Sequence, residues 1–198
     1  MAGTTAITAD IINDCTKRPV KGLKAKAWAF NKGTATLTIT DNLTTNLVKA
    51  GAATSYTFEG FKDFMNAGYE AVVSDNLPTG YKHKFMLDAF LATAAEKKNI
   101  DNADNFFVVV ERNGSQTGGC FVAYGVNNGL WKTAQTKTAN DNNGVTKLEY
   151  QTRAGEEEQY SEYVLWKTDY ATPQGCIGSR KTAFNSTAES VSKSTQRN

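Results

Sequence analysis

The sequence predicts an α+β protein that is predominantly antiparallel β, with about eight strands in a sandwich or barrel, one principal helix and flexible terminal arms. The 198 residues include 25 Thr, 17 Asn and 16 Gly but only 3 Pro. Threonine and aromatic residues favour pleated strands, whereas Asn and Gly favour tight turns. Segments in which every second residue is of the same kind, the period of a β-strand, recur along the chain. Clusters of turn-forming residues separate these segments.

Charge and hydropathy narrow the classes of function. The chain has 22 Lys and Arg against 20 Asp and Glu, whereas a dedicated nucleic-acid binder carries a strong basic excess. No apolar run approaches the ~20 residues that a membrane-spanning helix needs. Residues 1–15 have neither the basic start nor the continuous apolar stretch of a signal peptide. We therefore expect a cytoplasmic product with reduced thiols and no membrane span.

The first 60 residues predict strands. Leu23–Phe30 alternates between Ala and larger side chains, and Thr34–Thr40 alternates again after the turn-forming residues 31–33. This order predicts a β-hairpin. The polar stretch Asp41–Ala53 predicts a loop, and Ser55–Glu59 predicts a further strand.

One segment favours a helix over its whole length. Lys84–Lys98 contains mostly good helix formers, and its apolar residues recur near helical spacing. Two lysines stand at its end, where cations favour a helix C-terminus. The cluster Asn99–Asn105 is expected to end this principal helix.

The β pattern is stronger in the second half of the chain. Short turn-rich links predict an antiparallel meander, and Asn140–Gly144 is the strongest hairpin turn. The last two strands are expected to pair with each other. The predicted strands are Phe106–Arg112, Cys120–Val126, Leu130–Thr138, Val145–Arg153 and Glu158–Thr168.

These patterns divide the chain into three parts. Residues 1–22 are expected to form an N-terminal arm, and residues 23–170 a single β-rich domain. Residues 171–198 are expected to form a C-terminal tail or arm, because residues 183–198 carry little that a core can bury.

The histidine and the cysteines of this sequence do not form a recognisable catalytic or metal-binding pattern. His83 is the only histidine, and it lies between lysines with no acid beside it, which predicts a solvated surface residue. Cys15, Cys120 and Cys176 are far apart and form no CxxC pair, so no zinc site is expected. Cys120 lies in an apolar run and is expected to pack as a small hydrophobe.

Three other segments resemble chemical sites only loosely. Gly114–Gly119 lacks the Lys-Ser/Thr of a phosphate loop, so a β-turn is expected. Glu156–Glu158 predicts a solvated hairpin tip rather than a carboxylate pair. Asp101–Asn105 lacks the Gly and Glu of a calcium loop, since Phe106 and Arg112 stand at those positions. The sequence therefore assigns no catalytic, cofactor-binding or metal residue, and predicts that the protein is not an enzyme.

Aromatic residues concentrate on the C-terminal strands. Such residues can stack on a sugar or on single-stranded nucleic acid, but on β-rich folds they more often form the core or cross-strand pairs. Tyr163 and Trp166 are predicted to face opposite sides of one strand, so at least one of them is expected to be buried. The residues are Trp131, Tyr150, Tyr160, Tyr163 and Trp166.

The order of these elements resembles the tail tube protein family of tailed bacteriophages and related contractile systems. The resemblance covers residues 23–170. It rests on the early hairpin Ala25–Thr40, the small-residue loop Asp41–Ala53, the helix Lys84–Lys98 and the final pair of strands within residues 145–170. Neck and tail ring proteins of such phages share similar folds, so the resemblance extends to them.

The resemblance implies a structural virion protein without a cofactor. Its subunits would assemble in the host bacterial cytoplasm into stacked rings, usually sixfold, whose inner sheet lines a channel. Viral DNA would pass through without sequence-specific binding. The partners would be copies of the chain and neighbouring tail or neck proteins, and the inter-ring contacts would be Asp41–Ala53 and Lys181–Asn198. The alternative function is a monomeric or trimeric β-sandwich binding module, such as a capsid decoration or carbohydrate-binding protein.

Overall fold

Eleven β-strands and one α-helix make up the part of the chain that the computed structural model describes, residues 21–50, 55–60, 63–73, 78–113, 121–138, 140 and 144–165. The elements are β1 (Leu23–Asn31), β2 (Ala35–Thr40), β3 (Leu43–Lys49), β4 (Tyr56–Glu59), β5 (Met65–Val72), β6 (Gly80–Ala89), α1 (Ala94–Asp101), β7 (Phe106–Arg112), β8 (Phe121–Tyr124), β9 (Trp131–Thr136), β10 (Thr146–Gln151) and β11 (Tyr163–Leu165).

The strands form two sheets that pack face to face. The seven-stranded sheet has the order β2-β3-β11-β8-β7-β1-β4, and the four-stranded sheet has the order β5-β6-β10-β9. The described strand pairs are antiparallel, apart from the parallel pair of β3 and β11. The structure therefore confirms the predicted class, a predominantly antiparallel α+β sandwich with one helix.

The main core lies between the two sheets. Phe85 and Leu87 of β6 and Leu148 and Tyr150 of β10 meet residues of β1, β7 and β8 there. Strand β7 is buried on both faces along almost its whole length, which is why its sequence is a nearly continuous apolar run rather than an alternating one. Ile100 of α1 joins the same core.

A second apolar cluster lies on the other face of the seven-stranded sheet. It includes Trp28, Phe30 and Phe107, and Leu37 of β2 and Leu47 of β3 pack against it. Four strands separate β1 from β2 in the sheet order, although only residues 32–34 lie between them in the chain. The sheet must therefore curl until its β2–β3 edge covers its own outer face.

The predicted hairpin between β1 and β2 is wrong, although both strands exist. Strand β1 pairs with β4 and β7, and β2 pairs with β3. The predicted loop Asp41–Ala53 is also wrong over Leu43–Lys49, which forms β3. Thr40 pairs with Leu43, and Asp41 adopts a positive φ of 54°. Asp tolerates that conformation in a tight two-residue turn.

The predicted helix Lys84–Lys98 is wrong in its first half, because Lys84–Ala89 belongs to β6. The buried Phe85 and Leu87 alternate with less buried neighbours, and pairing with both β5 and β10 overrides the helix propensity of this segment. The helix begins at Ala94 after the N-cap Thr93. Glu96 N donates to Thr93 Oγ1 (3.2 Å), and Thr93 N donates to Glu96 Oε2 (2.9 Å), so a capping box sets the start.

In the second half of the chain most predicted strands are present, but the last, predicted over Glu158–Thr168, forms among the described residues only over Tyr163–Leu165. Several predicted pairings are wrong. Strand β7 has the predicted bounds, and β9 pairs with β10 as expected for a hairpin across residues 140–144. The expected pairing of the last two strands is wrong, since β10 lies in the four-stranded sheet and β11 lies between β3 and β8. The meander is likewise wrong beyond β8, because β9 leaves its sheet. Residues 1–20 and 166–198, which hold most of the predicted arms, lie outside the described residues.

Candidate functional site

A buried polar cluster joins the loop after β8 to the segment before β11. Its central groups are His83, Glu158 and Tyr163, each at most 1% exposed. Strand β6 supplies His83 on its core-facing side, because His83 alternates with Phe85 and Leu87. The backbone of Glu158 pairs with that of Tyr81, with N–O distances of 2.8 and 2.9 Å, which brings its side chain inward.

The Glu158 carboxylate accepts hydrogen bonds from the loop. The backbone N–H groups of Asn127 and Asn128 donate to Oε1 at 2.9 and 3.0 Å. The Asn127 side-chain Nδ2 and the Tyr163 hydroxyl donate to Oε2 at 2.9 and 3.0 Å. A buried carboxylate needs such donors to offset its lost hydration. Glu158 therefore fixes the path of residues 127 and 128.

The hydrogen bonds of His83 define its tautomer. Gly125 N donates to Nδ1 at 2.9 Å, so Nε2 carries the proton and donates to the Tyr160 carbonyl oxygen at 2.9 Å. Burial lowers the pKa of His83, although the nearby carboxylate of Glu158 opposes this effect. The imidazole is thus held neutral, with both nitrogens bonded to the backbone.

Tyrosines enclose the imidazole. Tyr124 and Tyr163 present edge-to-face contacts to His83, with ring centroids 5.3 and 6.1 Å away. Burial raises the pKa of Tyr124 to about 12, and the carboxylate of Glu162 adds to this effect. Burial also raises the pKa of Tyr163, again with a contribution from Glu158. Both phenols remain protonated donors near neutral pH, and Tyr124 donates to Glu162 at 3.2 Å.

A lysine supports the same loop from its other side. Lys32 Nζ donates to the carbonyl oxygens of Val126 and Asn127 at 2.5 and 2.8 Å. Burial lowers the pKa of Lys32, and the charge of Glu158 counteracts this shift. The loop is therefore held by a carboxylate on its N–H groups and an ammonium group on its carbonyl groups.

Two predictions about these residues are wrong. His83 is fully buried rather than solvated, and Glu158 is fully buried whereas Glu156 is exposed. A sequence signal exists for His83, because Tyr81, His83 and Phe85 share one face of a strand, but the helix formers that follow Lys84 obscure it. Nothing local distinguishes Glu158 from its neighbours, since its partners Asn127 and Asn128 lie about 30 residues away in the chain.

The aromatic candidates do not form a shared stacking platform in the described residues. Tyr150 and Tyr163 are buried in the two cores. Trp131 is half-buried, and the Arg153 guanidinium carbon lies 3.4 Å from its ring centroid, so a cation already covers one face. Tyr160 packs edge-on against Tyr163, and Trp166 lies outside the described residues. Core packing, the commoner use of aromatic residues in β-rich folds, accounts for most of this set.

The loosely calcium-like segment is engaged in other contacts. Asp104 Oδ1 accepts from Lys132 N at 2.7 Å, and Asp101 Oδ1 accepts from Gln135 Nε2 at 2.7 Å. These bonds tie α1 and its following turn to β9. Among the described residues, no three His, Cys, Asp or Glu side chains are grouped to hold a metal ion. The segment Gly114–Gly119 and the three cysteines lie outside the described residues.

The outer face of the four-stranded sheet carries balanced charge. Alternation along β6 and β10 turns Lys82, Lys84 and Asp88, and also Lys147 and Glu149, away from the core. Glu70 of β5 lies opposite Lys82 and forms an ion pair with Lys84, which lowers the pKa of Glu70. Lys147 lies opposite Asp88. Each of these three lysines therefore has an acidic neighbour within the sheet, with Glu70 serving two of them.

The edges of the four-stranded sheet are β5 and β9. All three pairings within the sheet are antiparallel, so β5 and β9 run in opposite directions. In the described part of the chain, neither strand pairs with a second strand, although Lys132 N of β9 donates to the side chain of Asp104. An edge strand presents unpaired N–H and C=O groups that can pair with another chain.

Comparison with known proteins gives no further constraint: no family model, curated protein or solved structure matches this chain. Within the described residues, no helix has the length and apolar character needed to cross a membrane. The described part of the chain is therefore a two-sheet sandwich in which the four-stranded sheet has a charge-balanced outer face and ends at β5 and β9, and in which buried ionisable groups fix one loop.

Proposed function

We propose that this chain is a structural virion subunit that assembles into rings of a phage tail tube, or of a related neck or tail ring. The observation that carries the proposal is the opposite direction of the edge strands β5 and β9. When β9 of one copy meets β5 of the next, the new pair is antiparallel like every other pair in the sheet. The same contact then repeats around a closed ring.

The lengths of the two edges suit such pairing. Strand β5 has 8 residues and β9 has 6, which is close to the usual strand length of about 5–6 residues. Long exposed edges normally lead to aggregation. A head-to-tail ring satisfies both edges at once, so the aggregation hazard becomes the means of assembly.

The charges on the outer face of the four-stranded sheet support a role as a conduit. In a ring closed through β5 and β9, the four-stranded sheets form a continuous wall, and this face would line the channel. A strongly basic wall would hold DNA through its phosphates. Lysines that are compensated by Glu70, Asp88 and Glu149 present little net charge, and DNA would pass without sequence-specific binding.

A proline in the β9 edge tests the assembly. Thr133 has no register partner on β10, because the register passes from Lys132 to Ala134 at a bulge, and its hydroxyl makes one hydrogen bond, to the Glu149 carbonyl oxygen at 3.2 Å. Proline is tolerated at bulges and edges. We expect Thr133→Pro to fold, as judged by circular dichroism, and to form no rings by electron microscopy and light scattering. Thr138→Pro, which lies beyond the end of β9, is the matched control and should still assemble.

Two results would contradict the proposal. The first is a wild-type chain that stays monomeric over the whole concentration series. The second is a folded Thr133→Pro variant that forms the same rings as the wild type, because ring closure would then use a different surface.

A further inference from the structure

A groove of about 270 Å³ opens between β1, β4 and the C-terminal half of α1. Its apolar side is built from Phe58 and Phe106, whose rings meet edge to face with centroids 5.8 Å apart. Phe58 also stacks on Phe85 of the main core at 5.8 Å. The apolar wall is therefore held rigidly by the core beneath it. Tyr56 of the edge strand β4 also lines the groove, and it is 53% exposed.

The polar lining of the groove is made of carboxamide groups. Asn31 is the last residue of β1, and Asn99 and Asn102 lie one turn apart at the end of α1. Among the described residues, the side chains of these three asparagines make no hydrogen bond with another protein group. Each can donate and accept, so together with the Tyr56 hydroxyl they offer a set of uncommitted polar groups around an apolar wall.

The groove carries no charged side chain among its described lining residues. The C-terminal end of a helix disfavours anions, and Lys132 Nζ already occupies the carbonyl oxygens of Ile100 and Asp101 at 2.6 and 3.0 Å. A phosphate or carboxylate ligand would find no cation here, and a cationic ligand would find no carboxylate. The ligand that fits is neutral.

We propose that this groove binds a neutral saccharide. A sugar ring has apolar C–H faces, which suit the exposed ring of Tyr56 and the wall of Phe58. Its hydroxyl groups donate and accept around the edge, as do the amides of Asn99 and Asn102. Small-molecule sites combine an apolar lining with a few placed polar groups in this way. The groove is at the small end of ligand sites, so one or two sugar rings fill it.

The test is saturation-transfer NMR on the full chain with methyl glycosides of glucose, galactose, mannose, rhamnose and N-acetylglucosamine. We expect at least one of them to bind, with an affinity that Tyr56→Ala reduces about tenfold and that Asn99→Ala also weakens. Tyr69→Ala is the matched control, because Tyr69 is 49% exposed and lies on β5, away from the groove lining. Asn66→Ala on β5 is the control for Asn99→Ala.

Three results would overturn the proposal: no binding of any of these sugars to the wild type, binding that survives both groove variants, or preferential binding of adenosine or inorganic phosphate at the groove. None of the lining residues belongs to the four strands that would close the ring. Failure of the saccharide site therefore leaves ring assembly untouched, and the two proposals fail independently.

Discussion

Glu158 connects more of the described chain than its position in an acidic run suggests. Its two oxygens accept from Asn127, Asn128 and Tyr163, and its backbone pairs with Tyr81. Removing such an acceptor leaves several buried donors without a partner, which costs more than the bond itself.

We expect Glu158→Gln to lower the free energy of unfolding by about 3 kcal/mol. The substitution replaces one acceptor oxygen by an NH2 group, which must then face the donors of Asn127 or Tyr163. Urea unfolding measures the effect. Glu156→Gln is the matched control, because Glu156 is exposed and its change should stay within ~0.5 kcal/mol. Equal effects of the two substitutions would mean that the buried network contributes little.

The buried His83 makes stability dependent on pH. Its pKa in the folded state lies below the ordinary value of 6.5 because of burial. Well above pH 6.5 the imidazole is neutral in both the folded and the unfolded chain, so the stabilisation from burying it neutral is fully present. As the pH falls below that value, the unfolded chain takes up a proton that the folded chain does not, so stability decreases by at most about 1.4 kcal/mol per pH unit.

We therefore expect urea midpoints to fall between pH 7 and pH 5, and this fall to be smaller in His83→Gln. Because His83 is the only histidine, its imidazole NMR signals also report the titration directly in the wild type. An imidazole that titrates near its ordinary pKa in the folded protein would contradict the buried neutral state.

At the scale of elements, the loop after β8 depends on a glycine. Gly125 has φ of +72° and donates to His83. A Cβ atom at this position would lie 2.5 Å from Leu130 Cγ and 3.0 Å from Leu130 N, so both the conformation and the space require glycine.

We expect Gly125→Ala to destabilise the protein by about 3 kcal/mol, through left-handed strain and overpacking together. Gly33→Ala isolates the strain, because Gly33 has φ of +83° and a Cβ atom added there would have no neighbouring atom within 4 Å. That control should cost about 1 kcal/mol. Thermal unfolding of the two variants measures the difference, and equal shifts would exclude the steric contribution of Leu130.

The strands that the sequence predicts well carry a local pattern, either alternation, as in β2, or a continuous apolar run, as in β7. Strand β7 is apolar from Phe106 to Val110 and buried on both faces there, so it is found without knowledge of its neighbours. Strand β6 contains Met86, Leu87 and Ala89, which favour helices, and only its pairing with β5 and β10 makes it a strand. The alternation of His83, Phe85 and Leu87 is the one local sign of that strand.

At the scale of the molecule, the sequence could not predict which distant strands pair with each other. Short links between β1 and β2 favour a hairpin, yet the curled sheet places four strands between them. The buried cluster depends on those same distant pairings, because His83 and Glu158 meet only once β6 and the segment before β11 are in place. The groove beside α1 depends equally on the position of β4.

The proposed channel wall predicts how charge controls DNA retention. Glu70→Gln with Asp88→Asn removes acidic neighbours of Lys82, Lys84 and Lys147. We expect rings of this double variant to retain duplex DNA at low salt, with retention that decreases steeply as salt is raised.

The control for this experiment is the double variant Glu59→Gln with Glu156→Gln, which changes the net charge equally on residues outside the four-stranded sheet. Its rings should behave like those of the wild type. Equal DNA retention by both double variants would mean that net charge, rather than this face, governs the interaction.

The parallel contact between β3 and β11 has a consequence for how the chain reaches its native state. Strand β3 needs β11 as its second neighbour, but a ribosome makes β11 last among the described strands. The β2–β3 hairpin must therefore wait, undocked, until nearly all of the described chain has emerged, and the loop that this docking closes is long. Nascent chains that stop before Tyr163 should remain sensitive to protease at β2 and β3. Synthesis of β11 would then complete the seven-stranded sheet.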